Sequence, residues 1–244
     1  MHHFEGMDGT VSVDAIAEII NREQPDLVGL QEVDRCAPRT DGADFPAELE
    51  RLTGMVALFG PNLSLGGPDA EYGNAILSRL PVEDFENHRL PRLGLDTEQR
   101  GLLSARVTLA SGGSLTFATT HLEHTSAAER SHQIATIREA LGSAGSPPLV
   151  LCGDFNARPD SAEMQLFESW GMSDAWEQAG EGVGDTIPSV PKPQGRIDYI
   201  MLAAGLRAQE TRVGAVENPA ASDHLPVVAD LVWVPGRGVT GSAL

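Results

Sequence analysis

Apolar residues recur along the chain with a helical spacing in some segments and a strand-like spacing in others. Val13, Ile16 and Ile20 follow the helical repeat after Ser12, a suitable capping residue, and Pro25 ends the segment. Four helices are predicted on such patterns: 13–24, 47–52, 127–141 and a segment from 160 or 161 to about 169.

Short apolar runs between polar or Gly-rich segments predict strands. Ser111-Gly112-Gly113 forms a predicted hairpin turn, so at least one pair of strands is antiparallel. The Gly- and Pro-rich segment 180–195 is predicted to be a long surface loop that borders a cleft. The predicted strands are 27–30, 55–59, 75–77, 102–109, 115–120, 149–152, 197–203, about 208–216 and 227–234. Hairpins that alternate with helices indicate an α/β fold of mixed sheets covered by helices.

The composition limits the domain organisation and the cellular setting. A chain of 244 residues with 41% hydrophobic residues fits one large domain, which we place at 1–234, followed by a mobile tail at 235–244. The chain has two cysteines, Cys36 and Cys152, too few for a disulfide framework, which favours a reduced, cytoplasmic setting. No apolar run approaches the roughly 20 residues that span a bilayer.

The net charge restricts the class of partner. Thirty-five acidic residues against 17 Lys and Arg give a formal charge of −18. Because affinity for a polyanion comes largely from cationic contacts to its phosphates, the charge disfavours nucleic acid as a partner.

Polar residues with metal or acid–base chemistry lie at the ends of several predicted strands. Glu32 follows the run 27–31, Asp154 and Asn156 follow 149–153, and His121 ends the run 115–120. A sheet would bring such strand ends into one cleft, and carboxylates gathered there require a cation or another partner. Each residue alone has a structural alternative: a salt-bridged surface acid for Glu32, and an Asx turn for the Asp154–Asn156 pair.

The last polar segments join a carboxylate to an imidazole. Asp223 and His224 are adjacent, so in an extended segment they point to opposite sides: one can approach a cation while the other faces a substrate. Asp198, within a strand-like run, is suited to accept a proton from the His224 ring and to raise its pKa. The structural alternative for Asp198 is a satisfied buried acid.

Six motifs in order resemble one enzyme family over essentially the whole chain. LQEVD, YGNAILS, THLEH, GDFNA, RIDYIM and SDHLPV appear in the order and at the spacing of the endonuclease/exonuclease/phosphatase superfamily. The resemblance implies a DNase I-like four-layer sandwich, with two mixed, mostly antiparallel sheets flanked by helices. It also implies hydrolysis of phosphate esters with Mg²⁺ or Mn²⁺, the cations expected for hard carboxylate ligands without a Cys cluster.

The resemblance assigns a role to each candidate residue. It implies metal binding by Glu32 and Asp223, and water positioning by Asp154 and Asn156. It further implies that Asp198 supports His224, that His121 contacts phosphate, and that two positions act on the substrate side or behind the site: Asn74 and Arg100.

The start of the chain departs from the family pattern. Family members begin with a buried strand that ends in a metal-binding Asn, whereas this chain begins at Met1-His2-His3. The resemblance therefore implies that the protein extends upstream of Met1, the alternative being a vector-derived pair of histidines. As written, the chain is expected to leave neighbouring strands with unpaired edges and to bind metal more weakly.

The sequence favours one activity and leaves others open. The expected activity is that of a phosphodiesterase or phosphatase acting on a small or lipid-derived phosphoester. The alternatives are a metal-dependent nuclease and a catalytically silent binding or scaffold protein of the same fold. The oligomeric state and the number of metal ions stay open.

Overall fold

Each main layer of the fold corresponds to apolar runs in the sequence. The structure is a computed structural model that describes residues 2–67, 69–94, 96–142, 148–203, 205–214 and 221–234. The predicted mobile tail at 235–244 lies outside the described residues. The described strands are Leu27–Arg35 (β1), Val56–Ser64 (β2), Glu71–Ser78 (β3), Val82–Arg89 (β4), Gly101–Thr108 (β5), Ser114–His121 (β6), Leu149–Asp154 (β7), Ser173–Asp174 (β8), Asp198–Leu202 (β9), Leu206–Val213 (β10) and Val227–Trp233 (β11).

The largest sheet carries most of the candidate site. Its six strands run in the order β4-β5-β6-β7-β9-β8, with β6 and β7 parallel and the other neighbours antiparallel. The parallel pair is connected by the helix Ala127–Leu141, as expected for a crossover. The strand ends after His121 and Asp154 therefore lie at the same edge of the sheet.

Two smaller ladders form the facing layer. One has the order β1-β3-β2 and the other pairs β10 with β11, all antiparallel. Among the described residues, β1 and β2 are the edge strands of the first ladder, and β10 and β11 each have one edge without a partner strand. Apolar side chains of both ladders, including Ile76 and Leu231, pack with Val150 and Phe117 of the six-stranded sheet.

Helices cover both outer faces and complete the four layers. The helices are Val13–Glu23 (α1), Phe45–Thr53 (α2), Ala127–Leu141 (α3), Ala162–Trp170 (α4) and Ala175–Ala179 (α5). Ile16 and Leu49 pack α1 and α2 against β1 and β3, while Ile137 and Phe167 pack α3 and α4 against β7 and β9. This arrangement confirms the predicted α/β sandwich of mixed sheets flanked by helices.

The main difference from the sequence prediction is the strand β4. Its residues Val82–Arg89 were not predicted as a strand, because four of them in succession are exposed and no apolar repeat marks either face. The segment is the edge of the six-stranded sheet, where polar side chains are favoured. The short helix Ala175–Ala179 was also absent from the prediction, since five residues give no measurable period.

Gly153, next to Asp154, is a position where the backbone has no room for a Cβ. Its φ is 145°, and a Cβ there would lie 1.9 Å from the Thr120 carbonyl oxygen. Because the obstacle is backbone, we expect Gly153→Ala to lower the free energy of unfolding by about 3 kcal/mol. Gly113→Ala, whose Cβ meets nothing closer than 3.8 Å, is the matched control. Equal urea midpoints for the two variants would contradict this prediction.

Candidate active site

The register of three neighbouring strands places three candidate residues side by side. His121 on β6 is opposite Asp154 on β7, and Asp154 is opposite Asp198 on β9. Residues opposite each other in neighbouring strands present their side chains to the same face. The predicted strand-end cluster is therefore one row across the sheet.

Glu32 reaches this row from the facing layer. The pairing of β1 with β3 is irregular between Leu30 and Val33, and Glu32 within this bulge has a φ of 60°. Bulges redirect side chains, and a non-Gly residue in the left-handed region is strained. The result is that Glu32 Oε1 lies 3.9 Å from His121 Nδ1.

His121 joins Glu32 to the row. Its side chain is buried, and its Nδ1 accepts a hydrogen bond of 2.9 Å from Arg100 Nη1. Arginine donates only, so the ring proton belongs on Nε2, which lies 3.4 Å from Asp154 Oδ2. Burial, followed by the positive charge of Arg100, lowers the pKa of His121 well below its usual value, which keeps the ring neutral.

The Asp154 carboxyl group lies in a buried, acidic environment. Burial, followed by the negative charge of Asp198, raises the pKa of Asp154 to about 7, although His224 opposes the shift. The Asn156 backbone N–H donates 2.8 Å to Asp154 Oδ1, and Asn156 Nδ2 donates 2.9 Å to the Leu122 carbonyl. The Asx turn considered from the sequence is therefore present, and it fixes the orientation of the carboxylate.

His224 and Asp198 form the second pair that the sequence predicted. Asp198 Oδ2 lies 2.9 Å from His224 Nδ1 and accepts a short hydrogen bond from Thr186 Oγ1. Burial alone would lower the pKa of His224, but the charge and hydrogen bond of Asp198 raise it to about 9. His224 Nε2 lies 3.9 Å from Asp154 Oδ2, so a protonated ring faces that carboxylate.

Asn74 and Arg100 lie behind this row of side chains. Asn74 is 1% exposed, and its Nδ2 donates 2.9 Å to the Gly101 carbonyl. Arg100 is 4% exposed and forms an ion pair with Glu98 at 2.5 Å besides its bond to His121. In this structure Asn74 holds the first residue of β5, directly after Arg100, and Arg100 holds His121.

Asp223 is placed differently from the other predicted metal ligand, Glu32. It is half-buried, its carbonyl accepts 2.7 Å from Ser189 N, and its Oδ1 receives a long 3.4 Å bond from Ser222 Oγ. Ser189 belongs to the predicted loop 180–195, which therefore does border the cleft. Among the described residues, the carboxylates that cluster with His224 are those of Asp154 and Asp198. The Asp223 carboxylate is not in this cluster.

The donor set fits a divalent cation. One ligand atom each from Asp154, Asp198 and His224 lie within 4.8 Å of one another. Carboxylate oxygens suit Mg²⁺ and Mn²⁺, and an imidazole nitrogen is accepted more readily by Mn²⁺. The raised pKa of His224 disfavours the neutral ring that a metal ligand requires, so carboxylates are the better donors here.

Two residues near the site were not predicted to contribute to it. Tyr72 donates a hydrogen bond to Glu32. Burial raises the pKa of Glu32, but the charge of the chain's amino group, followed by that of His121, the Tyr72 hydrogen bond and the charge of Arg100, lowers it to about 2. Tyr72 stands opposite Asp34 in the β1–β3 ladder, a pairing that only the register reveals. Thr186 lies in the Gly- and Pro-rich loop, where no sequence period marks it.

No helix among the described residues is long and apolar enough to cross a bilayer.

Similar proteins share this fold and sequence order. The Escherichia coli protein YbhP is 28% identical over 166 residues, which are 67% of this chain and 64% of YbhP. Nocturnin of Xenopus laevis is 27% identical over an alignment covering 88% of this chain and 62% of nocturnin. The chain thus spans less than two thirds of the length of these curated relatives.

A solved structure and a family profile extend the comparison to nearly the whole chain. An endonuclease/exonuclease/phosphatase from Beutenbergia cavernae superimposes with a TM-score of 0.83 and 27% identity, covering 96% of this chain and 69% of that one. The profile of the Endonuclease/Exonuclease/phosphatase family matches residues 5–224. Both the order of the motifs and the geometry of the strand ends agree with that match, and the chain belongs to the endonuclease/exonuclease/phosphatase family.

Proposed function

We propose that this chain is a divalent-metal-dependent hydrolase of phosphate esters. Membership of the family supports phosphoester hydrolysis in general. The observation that carries the proposal for this chain is the row of His121, Asp154 and Asp198 on neighbouring strands, with His224 and Glu32 closing it from two other segments. The side chains to which we assign acid, base and metal-binding roles therefore include a row across one sheet and its neighbours, which supports the proposal.

Asp154 is the proposed general base. A pKa of about 7 leaves part of the population ionised at neutral pH, so the carboxylate accepts a proton from the attacking water. The hydrogen bond from the Asn156 N–H holds one carboxylate oxygen and leaves the other to face His121 and His224. The Asn156 side-chain amide is committed to Leu122, so its carbonyl oxygen is the atom available to the water.

We propose that His224 is the positively charged side chain that contacts the reacting phosphoryl group. Asp198 holds the ring through Nδ1 and keeps it protonated, which leaves Nε2–H to donate to a phosphoryl oxygen or to the leaving group. His121 has both nitrogens engaged in the structure, so its proposed phosphate contact is secondary to its role of orienting Asp154.

We propose that Glu32 and Asp223 hold the metal, as the family resemblance implies; of the two, Glu32 contacts the row of side chains through His121, whereas Asp223 is not among the groups clustered around His224. A low pKa keeps Glu32 ionised at all physiological pH values, as a cation ligand requires. When bound, Mg²⁺ or Mn²⁺ would polarise a phosphoryl oxygen and offset the negative charge of the transition state. Asn74 and Arg100 are proposed to support the substrate side through Gly101 and His121.

The charge of the chain guides the choice of substrate. A formal charge of −18 disfavours duplex DNA, so we propose a small or lipid-derived phosphoester, with phosphodiesterase or phosphatase activity. The two cysteines, of which Cys152 is buried with a pKa raised by burial to about 12, are consistent with a proposed cytoplasmic setting.

A panel of phosphoesters assayed with Mg²⁺, with Mn²⁺ and with a chelator tests the proposal. We expect metal-dependent hydrolysis of a generic phosphodiester or of small phosphomonoesters, and none with the chelator. Absence of metal-dependent turnover across the panel would favour a silent binding protein. Efficient cleavage of duplex DNA at physiological salt would overturn the proposed substrate class and retain the chemistry.

A further inference from the structure

A second cavity lies beside the row of catalytic side chains and has a volume of about 300 Å³. Its lining joins Glu32 to side chains that do not belong to the row: Arg39, Leu63, Leu65, Tyr72 and Glu98. Glu32 also lies 3.9 Å from His121, so the cavity adjoins the place where the phosphoryl group would react. A group attached to that phosphoryl could therefore extend into the cavity.

Arg39 supplies a hydrogen-bond donor to this cavity. Its Nε and Nη2 donate to the two oxygens of Asp34, at 2.7 and 2.6 Å. This side-on pairing leaves the two N–H groups of Nη1 pointing away from Asp34. The pairing also fixes the guanidinium, because Asp34 is buried and the Tyr72 ring centre lies 5.2 Å away. The Arg39 side chain is 42% exposed, so a ligand from solvent can reach it.

Glu98 supplies an acceptor. Its Oε1 accepts 2.5 Å from Arg100 Nη1, and the Tyr72 hydroxyl is hydrogen-bonded to both Glu98 and Glu32. A phenol has a single proton to donate, whereas a carboxylate has about four acceptor positions. Glu98 therefore keeps room for further donors, and its side chain is 34% exposed.

The charges of the lining favour a neutral ligand. The described lining has two basic side chains, and each faces a carboxylate: Arg39 pairs with Asp34, and His3 Nε2 lies 3.5 Å from Glu5 Oε2. A second phosphate in the cavity would meet the carboxylates of Glu32 and Glu98 with no cation committed to it. The part of the substrate that fits here is therefore uncharged.

The surface of the cavity disfavours a nucleobase and an acyl chain. Tyr72 is 6% exposed and its ring lies under the Arg39 guanidinium, so no open aromatic face is offered to a base. An acyl chain would take the charges of Arg39 and Glu98 out of water without new hydrogen bonds, which is unfavourable. A group with hydroxyls satisfies both side chains.

The size of the cavity limits that group to about one ring. Ligand pockets range over about 300–1,000 Å³, and this cavity is at the lower end. Leu63 and Leu65, both half-buried, add an apolar patch to the polar walls. A ring with hydroxyls at its rim and C–H groups on its faces matches both surfaces.

We propose that this cavity, the Arg39–Glu98 pocket, binds the non-reacting alcohol of the substrate, and that this alcohol is a neutral, polyhydroxylated ring such as a monosaccharide or a cyclitol. Its hydroxyls donate to Glu98 and accept from Arg39, while its C–H groups pack on the two leucines. The inference rests on the proposed function, since the phosphoryl group is taken to lie beside Glu32 and His121. It narrows the small phosphoesters to phosphates of hydroxylated rings.

Binding measured without turnover tests the inference separately from hydrolysis. Titration calorimetry in Mg²⁺ with the full chain carrying Asp154→Asn compares three probes: glucose phosphate, myo-inositol phosphate and cyclohexyl phosphate, which has a ring without hydroxyls. We expect at least one hydroxylated probe to bind roughly tenfold or more tightly than cyclohexyl phosphate, the effect of one or two well-placed hydrogen bonds. The two hydroxylated probes distinguish a sugar from a cyclitol.

Two conservative variants test whether the preference arises in the pocket. Arg39→Lys keeps the charge beside Asp34 but loses the planar fork, and Glu98→Gln keeps the side-chain size but loses one carboxylate oxygen. Each is expected to lower the ratio of affinities, hydroxylated over cyclohexyl, by roughly fivefold or more. Damage to the reacting end would weaken both probes alike. Arg106→Lys, on β5 and outside the pocket, is the matched control and is expected to keep the ratio.

The outcomes separate the pocket from the chemistry. Equal or undetectable affinities for all three probes would overturn the inference, as would a preference that survives in both pocket variants. Tighter binding of a nucleoside monophosphate than of either hydroxylated probe would assign the cavity to a nucleoside instead. A preference for hydroxylated rings in a protein that hydrolyses no phosphoester would support the pocket and overturn the proposed function alone.

Discussion

Asp154→Asn is expected to lower kcat for phosphoester hydrolysis by roughly 10²- to 10⁴-fold, the range for loss of a general base. The amide keeps the size of the carboxylate and still accepts the hydrogen bond from the Asn156 N–H, but it cannot take a proton from water. Steady-state kinetics at saturating Mg²⁺ and Mn²⁺ measure the effect. We expect KM to change less than kcat because the substituted atom acts mainly in the chemical step.

The stability of this variant separates a catalytic role from a structural one. The pKa of Asp154 is raised in the fold to about 7 from 3.8, so its stabilising contribution is complete below pH 3.8 and is lost as pH rises through 7. At pH 8 the ionised carboxylate opposes folding, and Asp154→Asn is expected to leave the unfolding midpoint unchanged or higher. A functional group that costs stability is the usual signature of an active site.

The control is Asp160→Asn, on an exposed turn six positions further along the chain. It is expected to retain kcat within about twofold, as for most surface substitutions. If Asp154→Asn also retained near-normal kcat with either metal, Asp154 would not be the base.

The helices and central strands could be predicted because their signals are local. Helix Ala127–Leu141 matches its predicted bounds, since apolar spacing and Gly142 act within one segment. The strand Val82–Arg89 could not be predicted, because its extended conformation depends on pairing with β5 rather than on an apolar repeat of its own. The strand ends that carry His121 and Asp154 were likewise visible as transitions from apolar to polar residues. Glu32 was predicted to follow a strand at 27–30, which was wrong: β1 continues to Arg35, and Glu32 lies in a bulge within it.

The lateral order of the site depends on contacts that sequence spacing does not encode. Asp198 stands beside Asp154 because β9 pairs with β7 in one register, and a shift by one residue would send its side chain to the opposite face. The bulge that turns Glu32 inward, and the loop that brings Thr186 to Asp198, are also products of long-range packing. The family resemblance supplied the roles of Glu32 and Asp198 where residue patterns left alternatives open, but it did not point to Thr186.

His224→Ala is expected to lower kcat/KM by roughly 10²- to 10³-fold, the range for losing one preorganised donor to a developing negative charge. His88→Ala, on the edge strand β4, is the matched control and is expected to leave kcat/KM unchanged. Retention of activity in His224→Ala would remove the imidazole from the proposed chemistry.

The companion variant Asp198→Asn tests how His224 acquires its charge. In the metal-free protein we expect the His224 ring to titrate near pH 9 by NMR, and the midpoint to fall in Asp198→Asn, since burial then acts without the opposing carboxylate. The pKa of His224 is raised in the fold from 6.5, so its stabilising contribution, at most about 3 kcal/mol, is complete below pH 6.5 and lost as pH rises through 9. The wild type should therefore lose more unfolding free energy than Asp198→Asn between pH 7 and 9. Parallel stability curves with an unchanged His224 midpoint would show that Asp198 does not hold the proton on the ring.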